Sequence, residues 1–259
     1  MAINVNTVYQ TVLLILNKEQ RGYITPTEFN NIGNQVQLEI FEKYFEDMNQ
    51  QVRVPQTNSD YADRVENLDE KLAIFKTSGN AVPASTADGL TTYWVLPSVD
   101  IYGNDVSATS DTPFYMLGTV LYNNETQLQR VDRTEFYYID KSLLTKPTKT
   151  YPIYLYENQK LFVKPTTINT TGEIQVDFLR KPIAPIWGFT VGSLGQYIYN
   201  SQALTTNNTT GSVNFELHES EQVDLILKIL VYTGIVIRDP QIVQAAAQEV
   251  ATNNNNQKS

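Results

Sequence analysis

Glu216, His218, Glu219, Glu221 and Asp224 fall within nine consecutive positions, and carboxylates beside an imidazole are the residue types of acid–base catalysis or of a metal site. A hydrolase acting through Glu216 to Asp224 would lose turnover in Glu219→Gln and Glu221→Gln. The same acidic residues also suit the first turns of a helix, where carboxylates complement the positive end of the dipole, and this structural reading is the better one. The segment Gly188–Gly195 lacks the lysine of a phosphate loop, and no glycines flank Ser193 as a nucleophile elbow requires, so a glycine-rich turn is expected. Asp100, Asn104, Asp105 and Asp111 are oxygen ligands by type, but they miss the spacing and terminal Glu of a calcium loop and are taken as solvated loop residues. With no cysteine and the single histidine His218, thiolate metal sites, His-rich metal sites and most triads within one subunit are excluded. No enzymatic activity, metal or cofactor is therefore expected.

The elements that hold these residues follow from periodicity. Phe215–Pro240 carries acidic residues at its start, ends on Asp239-Pro240, and is apolar at Val223, Leu225, Ile226, Leu227, Ile229, Leu230, Val231, Ile235, Val236 and Ile237. It reads as a helix about 35 Å long, covered around most of its circumference by a core or by neighbouring subunits. Val5, Val8, Tyr9, Val12 and Leu16 give a first amphipathic helix to about Lys18. Thr25-Pro26-Thr27-Glu28 is a capping box opening a second helix to about Gln50, and Ser59 can cap a third containing Leu68, Leu72 and Phe75.

From Thr77 the pattern changes. A turn-rich stretch, SGNAVPASTADG, precedes short β-branched and aromatic runs that predict strands at Thr92–Leu96, Tyr115–Tyr122, Tyr151–Tyr156, Lys160–Val163 and Glu173–Leu179. Tyr156–Lys160 is a hairpin turn, and Asp132–Ser142 a short capped helix. Thr205–Gly211 is a polar loop, 241–250 an Ala-rich helix, and TNNNNQKS a tail with nothing to anchor it. The fold expected is α+β: a helical bundle from the N- and C-terminal segments with a central, mainly antiparallel sheet or small barrel. Its divisions are N-terminal helices over 1–76, a β-rich region over 77–214, C-terminal helices over 215–250 packing on the N-terminal ones, and a flexible tail over 251–259.

The formal charge is -9, and no run of Lys and Arg offers a local exception, which argues against sequence-specific DNA binding. The start of the chain has no basic n-region and no uninterrupted apolar span, so neither a signal peptide nor a membrane helix is expected. The chain is 18% charged, with Asn, Gln and Thr filling the gap, and it holds 16 Tyr and 10 Phe. Such aromatics serve cores and subunit contacts, or stack on sugars and single-stranded bases.

Arg180-Lys181-Pro182, Pro185 and Trp187-Gly188 follow directly on the Glu173–Leu179 strand. Together with Tyr23–Phe29 (YITPTEF), Tyr151–Tyr154 (YPIY), and Lys228–Ile235 followed by Asp239-Pro240, they give a pattern over most of the chain. It resembles the ring, or head-to-tail adaptor, proteins of the neck in crAss-like and related short-tailed bacteriophages. The resemblance implies a virion protein, made in the bacterial host cytoplasm, that forms a homo-oligomeric, dodecameric ring. That ring would dock under the portal, meet further neck or tail proteins, touch no membrane, and pass DNA non-specifically through its centre. An acidic chain suits a channel that repels phosphates. Leu225, Ile229, Leu230, Ile235, Ile237, Arg180, Trp187, Asn253 and Asn254 are the expected subunit or portal contacts, with Arg180 to Trp187 fixing the sheet against the bundle. A rival expectation is a carbohydrate-binding virion or surface protein using exposed aromatics.

Overall fold

A computed structural model describes residues 2–18, 24–51, 64–85, 92–107, 114–205 and 208–237, with 244, 247–249 and 251–252. The chain is α+β and divides into two compact units, Met1–Ile74 with Pro182–Ser259, and Phe75–Lys181. Residues 182–214, expected with the β-rich region, thus belong with the helices. Ser59, Asp239-Pro240 and the tail from Asn253 onward lie outside the described residues, as do Thr206 and Asn207 of the polar loop. Of the Ala-rich segment, residues 244 and 247–249 are described and helical.

In the first unit, α1 (Val5–Lys18) and α2 (Pro26–Gln51) form where the apolar spacing predicts them. The capping box is complete. Thr25 donates its backbone N–H and its hydroxyl to Glu28 Oε2 at 2.9 and 2.7 Å, and the Glu28 N–H returns to Thr25 Oγ1 at 3.4 Å. These bonds hold the Glu28 carboxyl below the usual carboxylate range. The third helix, α3 (Arg64–Ala73), buries Leu68 and Leu72.

The segment read as the start of the last helix is extended instead. Ile3 and Phe215 exchange backbone hydrogen bonds at 3.0 and 3.1 Å, and Phe215 and Leu217 are buried on either side of Glu216, a period of two. His218 caps a single 3-10 turn, Glu219–Glu221, by accepting the Ser220 N–H, and α5 (Gln222–Ile237) starts only there. Its described part is about 24 Å long, and it begins seven residues later than expected. It contacts both α1 and α2.

Pro182 and Pro185 cannot donate to a sheet, so the connection leaving the second unit needs other partners. Two amides on one face of α2, Asn30 and Gln37, supply them. Asn30 Oδ1 accepts the Trp187 N–H at 2.8 Å, while Gln37 donates to the Ile183 carbonyl at 2.7 Å and accepts the Glu216 N–H at 3.0 Å. Glu216 itself accepts the Ile183 N–H at 2.8 Å. Gln37 is fully buried.

The second unit is layered. One sheet has the order β1-β9-β4-β5, with β1 Lys76–Asn80, β4 Phe114–Tyr122, β5 Thr126–Gln127 and β9 Ile174–Arg180. The other has the order β2-β3-β8-β7-β6, with β2 Val82–Ser85, β3 Thr92–Val95, β6 Gln129–Arg130, β7 Ile153–Glu157 and β8 Lys160–Lys164. All pairings are antiparallel except β6 with β7. Strands β1 and β2 occupy the stretch read as turns, because β1 pairs with β9 along all five of its residues and Pro83 sits in a strand at the sheet edge. The β7–β8 hairpin turns on Asn158 and Gln159, both at positive φ, as a two-residue loop demands.

Val120, Ile174, Val176 and Phe178 of the first sheet meet Trp94, Tyr154, Leu161 and Val163 of the second in one core. On the far side of the second sheet, Ile153, Leu155 and Phe162 form another core with Phe136 and Ile139 of α4 (Arg133–Lys141). Asp132 stands at the N-cap of α4 but makes no side-chain cap bond. The remaining strands, β10 (Phe189–Val191) and β11 (Tyr197–Tyr199), form a small hairpin in the first unit.

Gln37→Leu keeps the volume but strips partners from the Ile183 carbonyl and the Glu216 N–H in a dry site. We expect a loss of about 2–3 kcal/mol, read as a lower urea midpoint at unchanged slope.

Candidate functional site

The acidic cluster is absorbed into packing. Glu221, buried, pairs with Lys71 of α3, and Lys71 also lies 5.8 Å from the centre of the Tyr44 ring. His218 is occupied with Ser220, and Glu216 with Ile183. Lys228 of α5, also buried, donates to Glu39 of α2 at 2.6 Å, and Tyr232 donates to the other oxygen of Glu39 at 3.2 Å. Among the described residues no group of three or more His, Cys, Asp or Glu is placed to share a metal ion.

Asp224 is the exception within this seam. It is buried, and neither carboxylate oxygen has a hydrogen-bond partner. Burial pushes its carboxyl up, Lys43 and Lys228 oppose that rise, and Glu221 and Glu39 reinforce it. The Tyr44 hydroxyl is likewise buried without a partner, and burial with the nearby Glu221 and Asp224 drives it well above the usual phenol range.

The expected contact residues divide. Leu225, Ile229 and Leu230 are buried inside the first unit and have no free surface for a neighbouring subunit. They are core, each contributing about 1.5–3 kcal/mol by burial. The exposed side of α5 is Val223, at 62%, with Ile226, Leu227 and Val231 half-buried, so apolar surface lies bare while Asp224, Lys228 and Thr233 are covered. Within one chain the core thus covers only part of this helix, and the remainder of the expected coverage would have to come from neighbouring subunits. The side chains of Ile235 and Ile237, and Asn253 and Asn254 altogether, lie outside the described residues. Arg180 and Trp187 fall in different units. Arg180 lies 5.9 Å from the Phe75 ring, and its guanidinium donates to the Lys181 carbonyl at 3.3 Å.

Trp187 is buried in a ring stack of its own unit. Tyr9 lies 4.4 Å away, Phe189 and Tyr199 stack on it at 6.0 and 5.4 Å, and its indole N–H donates to Asn6 at 3.0 Å. Beside it is a cavity of about 540 Å³ lined by Asn6, Gln10, Gln196, Tyr197 and Tyr199 among others, with no charged side chain in its wall.

A second groove, also about 540 Å³, lies on the second unit. It runs over the face of the β1-β9-β4 sheet opposite the core, where Asp177 and Leu179 alternate with the buried Val176 and Phe178. Asp100, expected as a solvated loop residue, builds its rim. Its buried carboxylate accepts the N–H groups of Tyr102 and Asn104 at 2.9 and 2.8 Å, the Asn104 amide at 3.0 Å and the Thr77 hydroxyl at 3.1 Å. Burial works against this charge, but the bonds outweigh it and hold the carboxyl below the usual range. The loop so fixed presents Ile101 and Tyr102 outward.

The most exposed apolar side chains lie on the segment after α4. Leu143 and Leu144 are 102% and 97% exposed, flanked by exposed Tyr137, Tyr138 and Tyr151. Single exposed apolar residues are ordinary on any surface; a contiguous set is the signature of a contact. No signal in the sequence separated these leucines from core leucines, because both are simply apolar. No family model matches the chain, and no curated protein is similar to it. No helix among the described residues is long and apolar enough to cross a membrane.

An acid held above its unfolded value of about 3.9 binds its proton more tightly in the folded chain. The Asp224 contribution to stability therefore falls as pH rises from about 4 through the raised native value and levels off above it. We expect Asp224→Asn to raise stability at pH 8 by about 1 kcal/mol or more and to flatten the fall that begins above about pH 4, measured by urea midpoints.

Proposed function

We propose that this chain is a non-enzymatic structural subunit of a bacteriophage neck, a homo-oligomeric ring that connects the portal to the tail and surrounds the DNA channel. The observation that carries this reading is the number of exposed apolar side chains on the second unit, above all Leu143 and Leu144, with Tyr137, Tyr138 and Tyr151 exposed within eight residues of them in the chain. A protein that works alone gains nothing by leaving such a set in water, whereas a subunit covers it on assembly. The sequence pattern from YITPTEF to Asp239-Pro240 supplies the neck assignment, and the negative charge of -9 suits passage of DNA without adhesion. The family's dodecameric copy number belongs to the same proposal, as do its location in the virion and its contacts with portal and tail proteins. Carboxylates already committed to Lys71 and Ile183, and an imidazole committed to Ser220, leave the acidic cluster a structural role in it.

One observation favours a second reading, a carbohydrate-binding virion or surface protein. The cavity beside Trp187 combines ring faces at Tyr197 and Tyr199 with the amides of Asn6, Gln10 and Gln196 and carries no charge, which suits the CH faces and hydroxyls of a neutral saccharide.

Mass photometry across concentration, alone and with portal protein, and negative-stain images test the ring. Closed rings, or rings captured only on the portal, are expected; a monomer that ignores the portal at every concentration counts against it. Titration with neutral oligosaccharides, read by tryptophan fluorescence and on a glycan array, tests the second reading. Saturable binding lost in Tyr197→Ala would support that reading, and a flat response removes it.

A further inference from the structure

Two patches of the second unit complement each other. The order of layers is the sheet β1-β9-β4-β5, the shared core, the sheet β2-β3-β8-β7-β6, the smaller core, and α4. The groove lies on the outer side of the first sheet and α4 on the outer side of the second, and the segment after α4 returns to β7 with Lys149 6.0 Å from the centre of the Tyr122 ring of β4. The groove and the exposed leucines are thus two different patches of one sandwich.

Their chemistry is matched. The segment 141–151, KSLLTKPTKTY, has three lysines and no acidic residue in a chain whose net charge is -9. Its two fully exposed leucines are flanked by Lys141 and Lys146, neither with an ionic partner among the described residues. The groove has apolar walls at Ile101, Tyr102, Met116 and Leu179, and Gly118 and Asp177 at its floor. Gly118 lets β4 lie close against β9, because a Cβ there would come within 2.9 Å of the Asp177 carbonyl oxygen. The Asp177 carboxylate has no hydrogen bond or ion pair among the described residues, and burial alone pushes it up, with no cation opposing. Lys76 lines the same groove, on the edge strand β1.

We propose that the segment Lys141–Lys146 of one copy seats in the Asp177 groove of the next, with Leu143 and Leu144 against its apolar walls and a lysine on Asp177. The occupant is thus a second copy of this chain, in a head-to-tail contact. Such a contact uses two different patches and leaves one of each free at the ends, so it propagates until it closes. The inference rests on the ring reading and names the surface that would build it.

The absence of cysteine in the chain allows a direct test. Differently tagged Leu144→Cys and Met116→Cys proteins are mixed and oxidised, with a Leu194→Cys protein replacing the first as a control on the other unit. A mixed disulfide forming at least tenfold faster than the control is expected, as is a ladder of oligomers from the double variant. Asp177→Lys should weaken self-association at least tenfold. Joined to Lys141→Glu and Lys146→Glu in the same chain, it should recover most of the loss, an outcome that misfolding would not produce; urea midpoints check each variant. Rings that persist in Leu143→Ser/Leu144→Ser, with no preferential disulfide, overturn this contact and leave the ring reading standing. A chain that stays monomeric and gives no preferential disulfide, alone or with portal protein, overturns both.

Discussion

Strands β7 and β8 bury both of their faces, and the surface of the second unit depends on that constraint. Tyr154, Leu161 and Val163 point into the core shared by the two sheets, while Ile153, Leu155 and Phe162 point the other way and need α4 as a lid. Only one helix is available among the described residues of this unit, so only one outer face is covered. The outer side of the β1-β9-β4-β5 sheet thus has no helix of this unit over it among the described residues and is half-buried, with Ile101 and Tyr102 beside it. Alternation places Asp177 and Leu179 there for the same reason that it places Val176 and Phe178 inside. The groove and the lysine-leucine segment are consequences of one arrangement of layers.

The first unit is held by polar side chains to a degree its apolar helices do not suggest. Asn30 and Gln37 stand seven residues apart on α2, two turns, and together they hold the proline-containing chain that no sheet could take. Lys228 with Glu39, and Lys71 with Glu221, connect α5 and its 3-10 turn to α2 and α3. Buried pairs of this kind offset their own desolvation and add little net stability, but they penalise any register in which a charge loses its partner. Asp224 lies among them with no hydrogen bond, its negative charge opposed by nearby Lys43 and Lys228. The seam thus selects one placement of α5.

Much of this fold is legible in the residues, and the failures have a common cause. The capping box at Thr25–Glu28, the alternation along 174–179 and the two-residue turn at Asn158-Gln159 are local, so spacing is enough to find them. Phe215–Leu217 misleads because acidic residues before an apolar run suit a helix start, while a long-range bridge to Ile3 holds the segment extended. Strands β1 and β2 are hidden by Gly79 and Pro83, whose turn character is overridden by partners about a hundred residues away for β1 and ten for β2. The site was less legible still. Leu225 and Ile229 announce that they are buried but not by what, and Leu143 and Leu144 look the same in the sequence although they are bare.

Charge decides which way two copies can meet. Two lysine-leucine segments face to face would set Lys141 and Lys146 against their own kind, so that two-fold pairing is penalised by like charges at contact distance, whereas the groove holds Asp177 together with Lys76. The head-to-tail arrangement joins the lysine-bearing segment to the one carboxylate among the described residues of the groove wall. The net charge of -9 works against every association, yet at physiological salt it is screened beyond about 8 Å, whereas a carboxylate and an ammonium in an apolar groove lie well inside that length. Raising salt should then relieve the general repulsion more than it weakens the seated pair. Apolar contact provides the attraction and the local charges its direction, and whether the chain of contacts ends as a ring or runs on as a filament is set by the rotation between successive copies.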